Sequence, residues 1–221
     1  MSSRSFGFDN VCDAELMGVS VVRFWVALSG SMLVVFVLVH LAGVLLAALA
    51  PASFESYAAS LHRVALLPFL EIGLLVAALS HVGFSLKKAI SNRLAGNHAN
   101  LVSRRQDPLA AFAAANQAIG GLLLLLFLGL HLSQLRWPRP EAGEELVALR
   151  VVLSQPFNLA IYLAAALAVG LHLVHGGEAV HRSLGLLDPV NAVRIRKAAR
   201  GMAWLVLGGF SLVTLLLAAH Y

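Results

Sequence analysis

The stretch FWVALSGSMLVVFVLVHLAGVLLAALA, residues 24–50, contains no acidic residue, lysine or arginine. A helix of about 20 residues crosses the hydrocarbon core of a bilayer, so this stretch is long enough to span it. It also contains a histidine, His40, in its second half, where an ionisable side chain is costly and marks a functional candidate. The stretch therefore predicts a membrane fold and a site inside the membrane.

The composition of the whole chain agrees with this prediction. Of its 221 residues, 59% are hydrophobic and 12% are charged, and the mean hydropathy is +0.83. Soluble domains carry about 25% charged residues, so we expect an all-α integral membrane protein with one membrane domain over residues 1–221. The single cysteine, Cys12, excludes a disulfide framework and CxxC-type zinc, iron–sulfur or covalent haem sites. Acidic residues before the first apolar run argue against a cleaved signal peptide.

Five apolar stretches reach membrane-spanning length. The predicted transmembrane helices cover about 24–50, 64–86, 109–135, 157–180 and 202–219. Of the 16 Lys and Arg residues, twelve fall in the N-terminal tail and in the loops after the second and fourth spans. Because cytoplasmic loops are enriched in Lys and Arg, we expect a cytoplasmic N-terminus and a periplasmic C-terminus in a bacterial inner membrane. The net charge of +5 then reflects topology, and no nucleic-acid partner is expected.

Four of the nine histidines lie in apolar surroundings, one in the second half of each of the first four spans. Successive spans run in opposite directions, so His40 and His131 are expected toward the outer face, and His81 and His172 toward the cytoplasmic face. A single intramembrane histidine can simply hydrogen-bond a neighbouring helix, but four of them sorted into two levels indicate two pairs. Two imidazoles facing each other across a flat apolar group are typical axial ligands of haem iron, so we predict two haem b groups. Zinc usually needs three or four ligands at one point.

Small residues recur at a fixed distance before two of these histidines. The segment SGSMLVVFVLVHL (29–41) aligns with GGLLLLLFLGLHL (120–132). The residues ten and eleven positions before each histidine are Ser29, Gly30, Gly120 and Gly121. At 1.5 Å per residue they lie about 15–16 Å along the helix, at the expected depth of the other pair. A porphyrin could contact the backbone there; ordinary close packing of helices is the alternative.

Five spans with histidines on the first four resemble the di-haem cytochrome b membrane anchor of the succinate:quinone oxidoreductase and quinol:fumarate reductase family. The resemblance covers essentially the whole chain. It rests on histidine spacings of 41, 50 and 41 residues, on LSG…H and NQAIGG…H in spans one and three, and on HLVHG in span four. It implies that His172, rather than His175, is the fourth ligand. It also implies the pairs that depth predicts, His81 with His172 for the proximal haem and His40 with His131 for the distal haem.

The resemblance further implies partners for the chain. A flavoprotein subunit would interconvert succinate and fumarate, an iron–sulfur subunit would carry electrons to the membrane, and quinone or menaquinone would be the membrane substrate. The chain would then be the lipid-embedded subunit of a fumarate reductase or succinate dehydrogenase, whose heterotrimers can pair into dimers. Two alternatives stay open: the cytochrome b anchor of a hydrogenase or formate dehydrogenase, and a transporter or proton channel that uses histidines as relays.

Glu71, in LPFLEIGLL, is the one acidic residue well inside the second span, near the expected depth of the distal haem. We expect a buried carboxylate there to accept a proton from quinol, with His62 and Arg63 lining the same site at the outer interface. The resemblance implies an acidic residue in this part of the second helix in menaquinol-oxidising members. The alternative is that Glu71 bonds a neighbouring helix or a haem-linked water. Some members carry an acidic residue on a proposed proton path two positions before the fourth ligand, where this chain has Gly170.

Basic side chains near the two interfaces are candidates to bind haem propionates, because charge-assisted hydrogen bonds favour carboxylates. The candidates near the inner haem are Arg23, Lys88, His175 and Arg182, and the candidate near the outer haem is Arg150. The alternative is that these side chains extend to lipid phosphates. His181 is expected at the interface without an assigned role.

Overall fold

The computed structural model describes residues 6–96, 107–137 and 139–219, with side chains described from residue 20 onward. Regular structure in these ranges is entirely helical: α1 (Phe6–Leu49), α2 (Pro51–His62), α3 (Leu67–Leu94), α4 (Pro108–Ala115), α5 (Gln117–Leu135), α6 (Glu145–Ser154), α7 (Pro156–Ser183) and α8 (Ala192–Ala219). Five segments are long and apolar enough to cross a membrane: Ser20–Leu49, Leu67–Leu94, Gln117–Leu135, Pro156–Ser183 and Ala192–Ala219. The prediction of an all-α chain with five helices long and apolar enough to span a membrane is confirmed for the described residues. Three basic residues used to predict its direction, Arg4, Arg104 and Arg105, lie outside the described residues.

Proline begins four of the helices. It occupies the first turn of α2, α3, α4 and α7, where its missing N–H is not needed for an intrahelical bond. Asp107 caps α4 because its Oδ1 accepts a hydrogen bond from the backbone N–H of Ala110 at 3.1 Å. Proline in the first turn therefore marks the start of four of the eight helices in the described ranges.

The third span differs from its predicted bounds of 109–135. The helix is interrupted at Asn116, which separates α4 from α5. The carbonyl oxygen of Phe112 accepts two hydrogen bonds from Asn116, one from the side-chain Nδ2 at 2.9 Å and one from the backbone N–H at 3.1 Å. Because an asparagine side chain competes for helix carbonyls, the spanning helix begins at Gln117. The short helices α2 and α6 were not predicted, whereas α4 lies within the predicted third span. The fifth span begins at Ala192, ten residues before its predicted start near residue 202.

The spanning helices α1, α3, α5 and α7 form a four-helix bundle, and α8 packs outside it against α7 and α1. Within the bundle, α1 packs against α3 and α7, and α5 packs against α7. Among the described residues, α1 does not pack along α5, and α3 packs along neither α7 nor α5. The bundle is therefore open between α3 and α5, and the pairs α1–α5 and α3–α7 lie across it as its diagonals.

The two ends of the bundle carry different short helices. An apolar cluster that includes Ala47, Phe54, Leu146 and Leu217 joins α1, α2, α6 and α8 at one end, called the α2–α6 end below. The opposite end, called the α4 end, is tied by an ion pair between Asp107, before α4, and Arg200 of α8. The hydrogen bond from the N–H of Leu146 to Oε1 of Glu55, 2.9 Å long, further joins α6 to α2.

Candidate functional site

The four intramembrane histidines meet in two pairs. The ring centroids of His40 on α1 and His131 on α5 are 5.9 Å apart, with an angle of 79° between the ring planes. Those of His81 on α3 and His172 on α7 are 6.1 Å apart, with an angle of 66°. All four residues are half-buried. The structure thus brings together the same two pairs that were predicted from the depth of each histidine in its span and from the family resemblance.

Each histidine pair spans a diagonal of the bundle. His40 and His131 join α1 to α5, and His81 and His172 join α3 to α7. These helices do not pack along one another in the described part of the chain. A group held between two diagonal side chains lies near the bundle axis, where four-helix bundles commonly build cofactor and metal sites.

Small residues fix the separation of the two pairs along the bundle. A Cβ atom on Gly30 would lie 3.0 Å from Cε1 of His81, and a Cβ atom on Gly121 would lie 3.6 Å from Cε1 of His172. Each glycine is ten residues before a histidine of the other pair, so the pairs are roughly 15 Å apart along α1 and along α5. Gly120 differs, because a Cβ atom there would have no described neighbour within 4 Å.

The spacing of each pair fits a metal bound between two imidazoles. Two metal–nitrogen bonds of about 2 Å, added to the half-widths of two rings, require roughly 6 Å between centroids. No three histidine, cysteine or acidic side chains converge on a metal-sized site among the described residues. Each pair therefore offers two ligands, which suits a six-coordinate haem iron better than a tetrahedral zinc ion.

In the inner pair, the ring of His81 is oriented by α1. Its Nδ1 lies 3.3 Å from the carbonyl oxygen of Val26 and 3.4 Å from Oγ of Ser29. Because a carbonyl can only accept a hydrogen bond, this contact favours the proton on Nδ1. The Nε2 lone pair is then the one available to a metal, as is usual where the second ring nitrogen is hydrogen-bonded.

The other histidine of the inner pair contacts Gln117, which the sequence analysis did not single out. Nε2 of His172 lies 3.2 Å from Nε2 of Gln117. Nδ1 of His172 and Oε1 of Gln117 are buried and have no hydrogen-bond partner among the described residues. Buried polar atoms are nearly always satisfied, so the inner pair has unused capacity for a further group.

The outer pair lies among aromatic side chains. Phe36 stacks on His40 with 5.4 Å between centroids, and Phe127 stacks on His131 at 5.6 Å. Phe210 of α8 lies 6.0 Å from His40. Nδ1 of His131 is 3.2 Å from the hydroxyl oxygen of Tyr162 on α7. These flat apolar surroundings suit a planar macrocycle. The polar contact of Tyr162 with His131 was not predicted, although Tyr162 is the only polar aromatic residue in FNLAIYLAAALA.

A cavity of about 240 Å³ opens at the α2–α6 end. Its wall contains the three residues predicted for a quinol site, Glu71, His62 and Arg63, together with Val64, Ala65, Leu67, Pro68, Arg136 and Arg139. The structure therefore brings the three predicted residues to one cavity. It adds two arginines that follow the third span and that no sequence pattern assigned to the site.

Glu71 differs from the buried carboxylate that was expected. Its side chain is 37% exposed, and it forms a two-pronged ion pair with Arg136. Nε of Arg136 donates to Oε1 at 2.9 Å, and Nη2 donates to Oε2 at 2.8 Å. The alternative interaction, a bond to a neighbouring helix, is therefore present through Arg136, the residue that follows α5. The pair also holds Glu71 in the wall of the cavity.

His62 connects the cavity to two acidic residues. Its Nε2 lies 2.7 Å from Oε1 of Glu145, whose Oε2 accepts from the N–H of Gly143 at 2.8 Å. Burial, opposed by the hydrogen bond from Leu146, raises the pKa of Glu55, and the neighbouring Glu145 raises it further. Burial also acts to raise the pKa of Glu145, but backbone hydrogen bonds and the contacts with Glu55 and His62 outweigh it, so that this pKa is lowered. Of the two neighbouring carboxyl groups, Glu55 therefore has the higher pKa and Glu145 the lower.

At the α4 end, the four basic residues predicted near the inner haem lie on three converging helices. Lys88 of α3 is close enough to Arg23 of α1 and Arg182 of α7 for mutual repulsion. His175 is likewise close enough to Lys88 and Arg182 for charge repulsion. Arg182 also pairs with Glu178 at 2.6 Å. This cluster of basic side chains at the α4 end favours an anionic group.

The remaining predicted residues have local roles in the structure. Arg150 of α6 is half-buried, and its Nε is buried without a hydrogen-bond partner in the described ranges. Nδ1 of His181 lies 2.7 Å from the carbonyl of Gly177, one turn earlier in its own helix. Gly170 lies at a close approach of α7 and α8, because a Cβ atom there would be 2.9 Å from Cβ of Leu207. Helix packing thus explains why this chain has no acidic side chain at that position.

The chain has no match among protein-family models, curated proteins or solved structures. The assignment of a function therefore depends on the residues and their geometry.

Proposed function

We propose that this chain is the di-haem cytochrome b subunit of a quinol:fumarate reductase or succinate:quinone oxidoreductase. It would anchor a flavoprotein and an iron–sulfur subunit to the membrane and pass electrons between menaquinol or quinone and the iron–sulfur subunit. The observation that carries the proposal is the pair of diagonal histidine contacts at two depths, 5.9 and 6.1 Å between ring centroids.

The four histidines would hold two haem b groups, the proximal one between His81 and His172 and the distal one between His40 and His131. When bound, each haem supplies reversible one-electron transfer. The chain keeps the imidazoles at ligand spacing on rigid helices, and Gly30 and Gly121 leave room for the inner rings. Apolar aromatic side chains exclude water from the outer pair, which is one of the ways in which a protein adjusts a haem potential.

The basic residues at the α4 end would neutralise the propionates of the proximal haem. Arg23, Lys88, His175 and Arg182 converge there from three helices, and charge-assisted bonds to carboxylates are about twice as strong as neutral ones. Arg150, with a buried and unpartnered Nε in the described part of the chain, would serve the distal haem.

The cavity at the α2–α6 end would bind the quinol head group. Oxidation of a quinol releases two electrons and two protons, so a base must lie in the wall of the site. Glu71 and His62 are the two bases in the wall. Arg136 holds the carboxylate of Glu71 toward the cavity, and Arg63 supplies a donor for a quinol oxygen.

The positive-inside rule supports a cytoplasmic α4 end and a periplasmic α2–α6 end in a bacterial inner membrane. The soluble subunits would then dock at the α4 end, next to the proximal haem. The quinol cavity would lie beside the distal haem on the opposite side. Electrons from quinol would cross the bundle from the outer pair to the inner pair before leaving the chain.

The test is purification of the tagged chain from its native membranes under mild conditions. The proposal predicts co-purification of a flavoprotein and an iron–sulfur subunit, and fumarate reduction by a menaquinol analogue. A complex that contains two haems but reduces its quinone with hydrogen or formate would identify the alternative respiratory anchors. A chain without haem that moves protons across vesicles would identify the relay transporter.

A further inference from the structure

A chain of side-chain hydrogen bonds runs from His131 to the end of α6. Oη of Tyr162 lies 3.2 Å from Nδ1 of His131 and 3.1 Å from Oε1 of Gln134. Nε2 of Gln134 donates to Oδ1 of Asn158 at 3.0 Å, and Nδ2 of Asn158 donates to the carbonyl of Val152 at 3.0 Å. We call Tyr162, Gln134 and Asn158 the relay triad.

The far end of the relay triad sets its direction. The carbonyl of Val152 lies in the last turn of α6, where it has no intrahelical donor. A carbonyl can only accept, so Asn158 must present its NH₂ group to Val152 and its oxygen to Gln134. Gln134 must then present its NH₂ group to Asn158 and its oxygen toward α7.

The direction of the hydrogen bonds from Gln134 also determines which nitrogen of His131 carries the proton. Because Oε1 of Gln134 can only accept, the hydroxyl of Tyr162 donates to it and leaves an oxygen lone pair for His131. Nδ1 of His131 must then carry the proton, which leaves the lone pair of His131 on Nε2. The tautomer of His131 is therefore determined by a backbone carbonyl on another helix.

We propose that the relay triad positions His131 as a metal ligand and raises the basicity of its Nε2, with Tyr162 as the residue that acts directly on the ring. A hydrogen bond from the second ring nitrogen fixes ring orientation and strengthens a histidine ligand. In the inner pair, His81 is oriented by the backbone of α1 and by Ser29. His81 and His131 therefore differ in the group that polarises the ring. The relay triad affects the ligand strength of His131 in the outer pair alone.

The proposal rests on the proposed function where it concerns a haem. A more basic ligand favours the oxidised iron, so removing the hydroxyl in Tyr162→Phe should raise the midpoint potential of the distal haem. Removing a partner of this kind typically costs about 10–100-fold in metal affinity. A tenfold difference between the two oxidation states corresponds to about 59 mV for a one-electron couple.

The test is an optical redox titration of the purified, haem-loaded chain. Tyr162→Phe should raise the potential of the component that His40→Ala removes, and leave the other component unchanged. The ring of Tyr162 packs edge-on against Phe127 with 5.0 Å between centroids, so phenylalanine preserves the packing. The matched control is Tyr57→Phe on α2, which should move neither component. An unchanged distal potential in Tyr162→Phe, with haem still bound, would overturn the proposal.

A second variant separates the relay from a general charge effect. Gln134→Glu places a carboxylate against the tyrosine hydroxyl, strengthens the polarisation of His131 and should lower the distal potential. In the Tyr162→Phe background the same substitution should have a much smaller effect, because the connection to His131 is removed. An equal effect in both backgrounds would overturn the role of Tyr162.

The proton on His131 is also measurable without haem, which separates the failure of this proposal from that of the proposed function. If the purified chain binds no haem, the proposed function fails. The relay triad is then tested by ¹⁵N NMR of labelled histidine in the full chain, with His131→Gln for assignment. Protonation of His131 at Nδ1, with a shift toward the other tautomer in Tyr162→Phe, would support the positioning role. Protonation at Nε2 in the unsubstituted chain would refute it.

Discussion

Gly30 of α1 lies directly beneath the imidazole of His81 of α3, so that a Cβ atom on the glycine would be 3.0 Å from Cε1 of the ring. Such a distance is tighter than nine in ten real Cβ contacts. The ring is also held by the carbonyl of Val26 at 3.3 Å and has little room to withdraw. The absence of a side chain at residue 30 therefore sets where the inner histidine lies.

Gly30→Val should displace His81 and lower haem affinity at the inner site by about tenfold or more, since the orientation of a ligand controls metal affinity. The distal haem should be retained. Haem content and the two components of a redox titration measure this outcome. Gly83→Ala is the control, because its Cβ atom would meet no described atom within 4 Å. Full occupancy of both sites in Gly30→Val would contradict the account.

Glu71→Gln should retain both haems and lose quinol turnover, by about 100-fold, because a positioned general base contributes roughly 10²–10⁴-fold. The glutamine can still accept a hydrogen bond from Arg136, so the cavity wall is preserved. Glu141→Gln, an exposed substitution at the same end, is the control. Quinol oxidation measured by haem reduction in membranes reports the effect. Unchanged turnover would remove Glu71 from the site.

Gly170→Ala should destabilise the bundle, because its Cβ atom would lie 2.9 Å from Cβ of Leu207 between α7 and α8. Overpacking of this kind costs about 1–3 kcal/mol. Gly176→Ala, six residues later on the same helix, meets no described atom within 4 Å and should be neutral. Thermal unfolding in detergent measures both variants. Equal stability of the two would show that α7 and α8 are not packed through Gly170.

Glu55→Gln should stabilise the protein at neutral pH and not in acid. Burial raises the pKa of Glu55 above its ordinary value of 4.5. The stabilisation that comes from this raised pKa belongs to the protonated form of Glu55. It is therefore complete below about pH 4.5 and is lost as the pH rises through the folded-state pKa. Glutamine keeps the acceptor for Leu146 without the charge. A gain on the order of 1 kcal/mol is the scale of one hydrogen bond.

The pH profile of unfolding in detergent tests the Glu55 prediction. The two stability curves should converge on acidification and separate at neutral pH, whereas Glu141→Gln should follow the unsubstituted chain. A constant gain at every pH would mean that the carboxyl group of Glu55 keeps its ordinary pKa.

The five long helices were predictable from sequence because length and hydropathy alone determine what can span a bilayer. The short helices α2 and α6 were not, because ten residues or so leave too weak a pattern. The interruption at Asn116 depends on a side-chain hydrogen bond to Phe112, and mean hydropathy does not contain that information.

The histidine pairs were predictable because helix direction converts sequence position into depth. The contacts around them were not. Arg136 meets Glu71 across 65 positions of the chain, and the orientation of His131 depends on Tyr162, Gln134 and Asn158 from three separate turns of helix. Such contacts are set by how the helices pack and not by the periodicity of any one of them.

Whether each of the two histidine pairs binds one haem is tested by haem stoichiometry and reduced-minus-oxidised spectra of the purified chain and its histidine variants. We expect two low-spin b-type haems per chain. His40→Ala and His131→Ala should each remove the same haem, His81→Ala and His172→Ala should each remove the other, and His181→Ala should remove neither. A chain with no Soret absorption, or variants whose losses do not group in these pairs, would contradict this expectation.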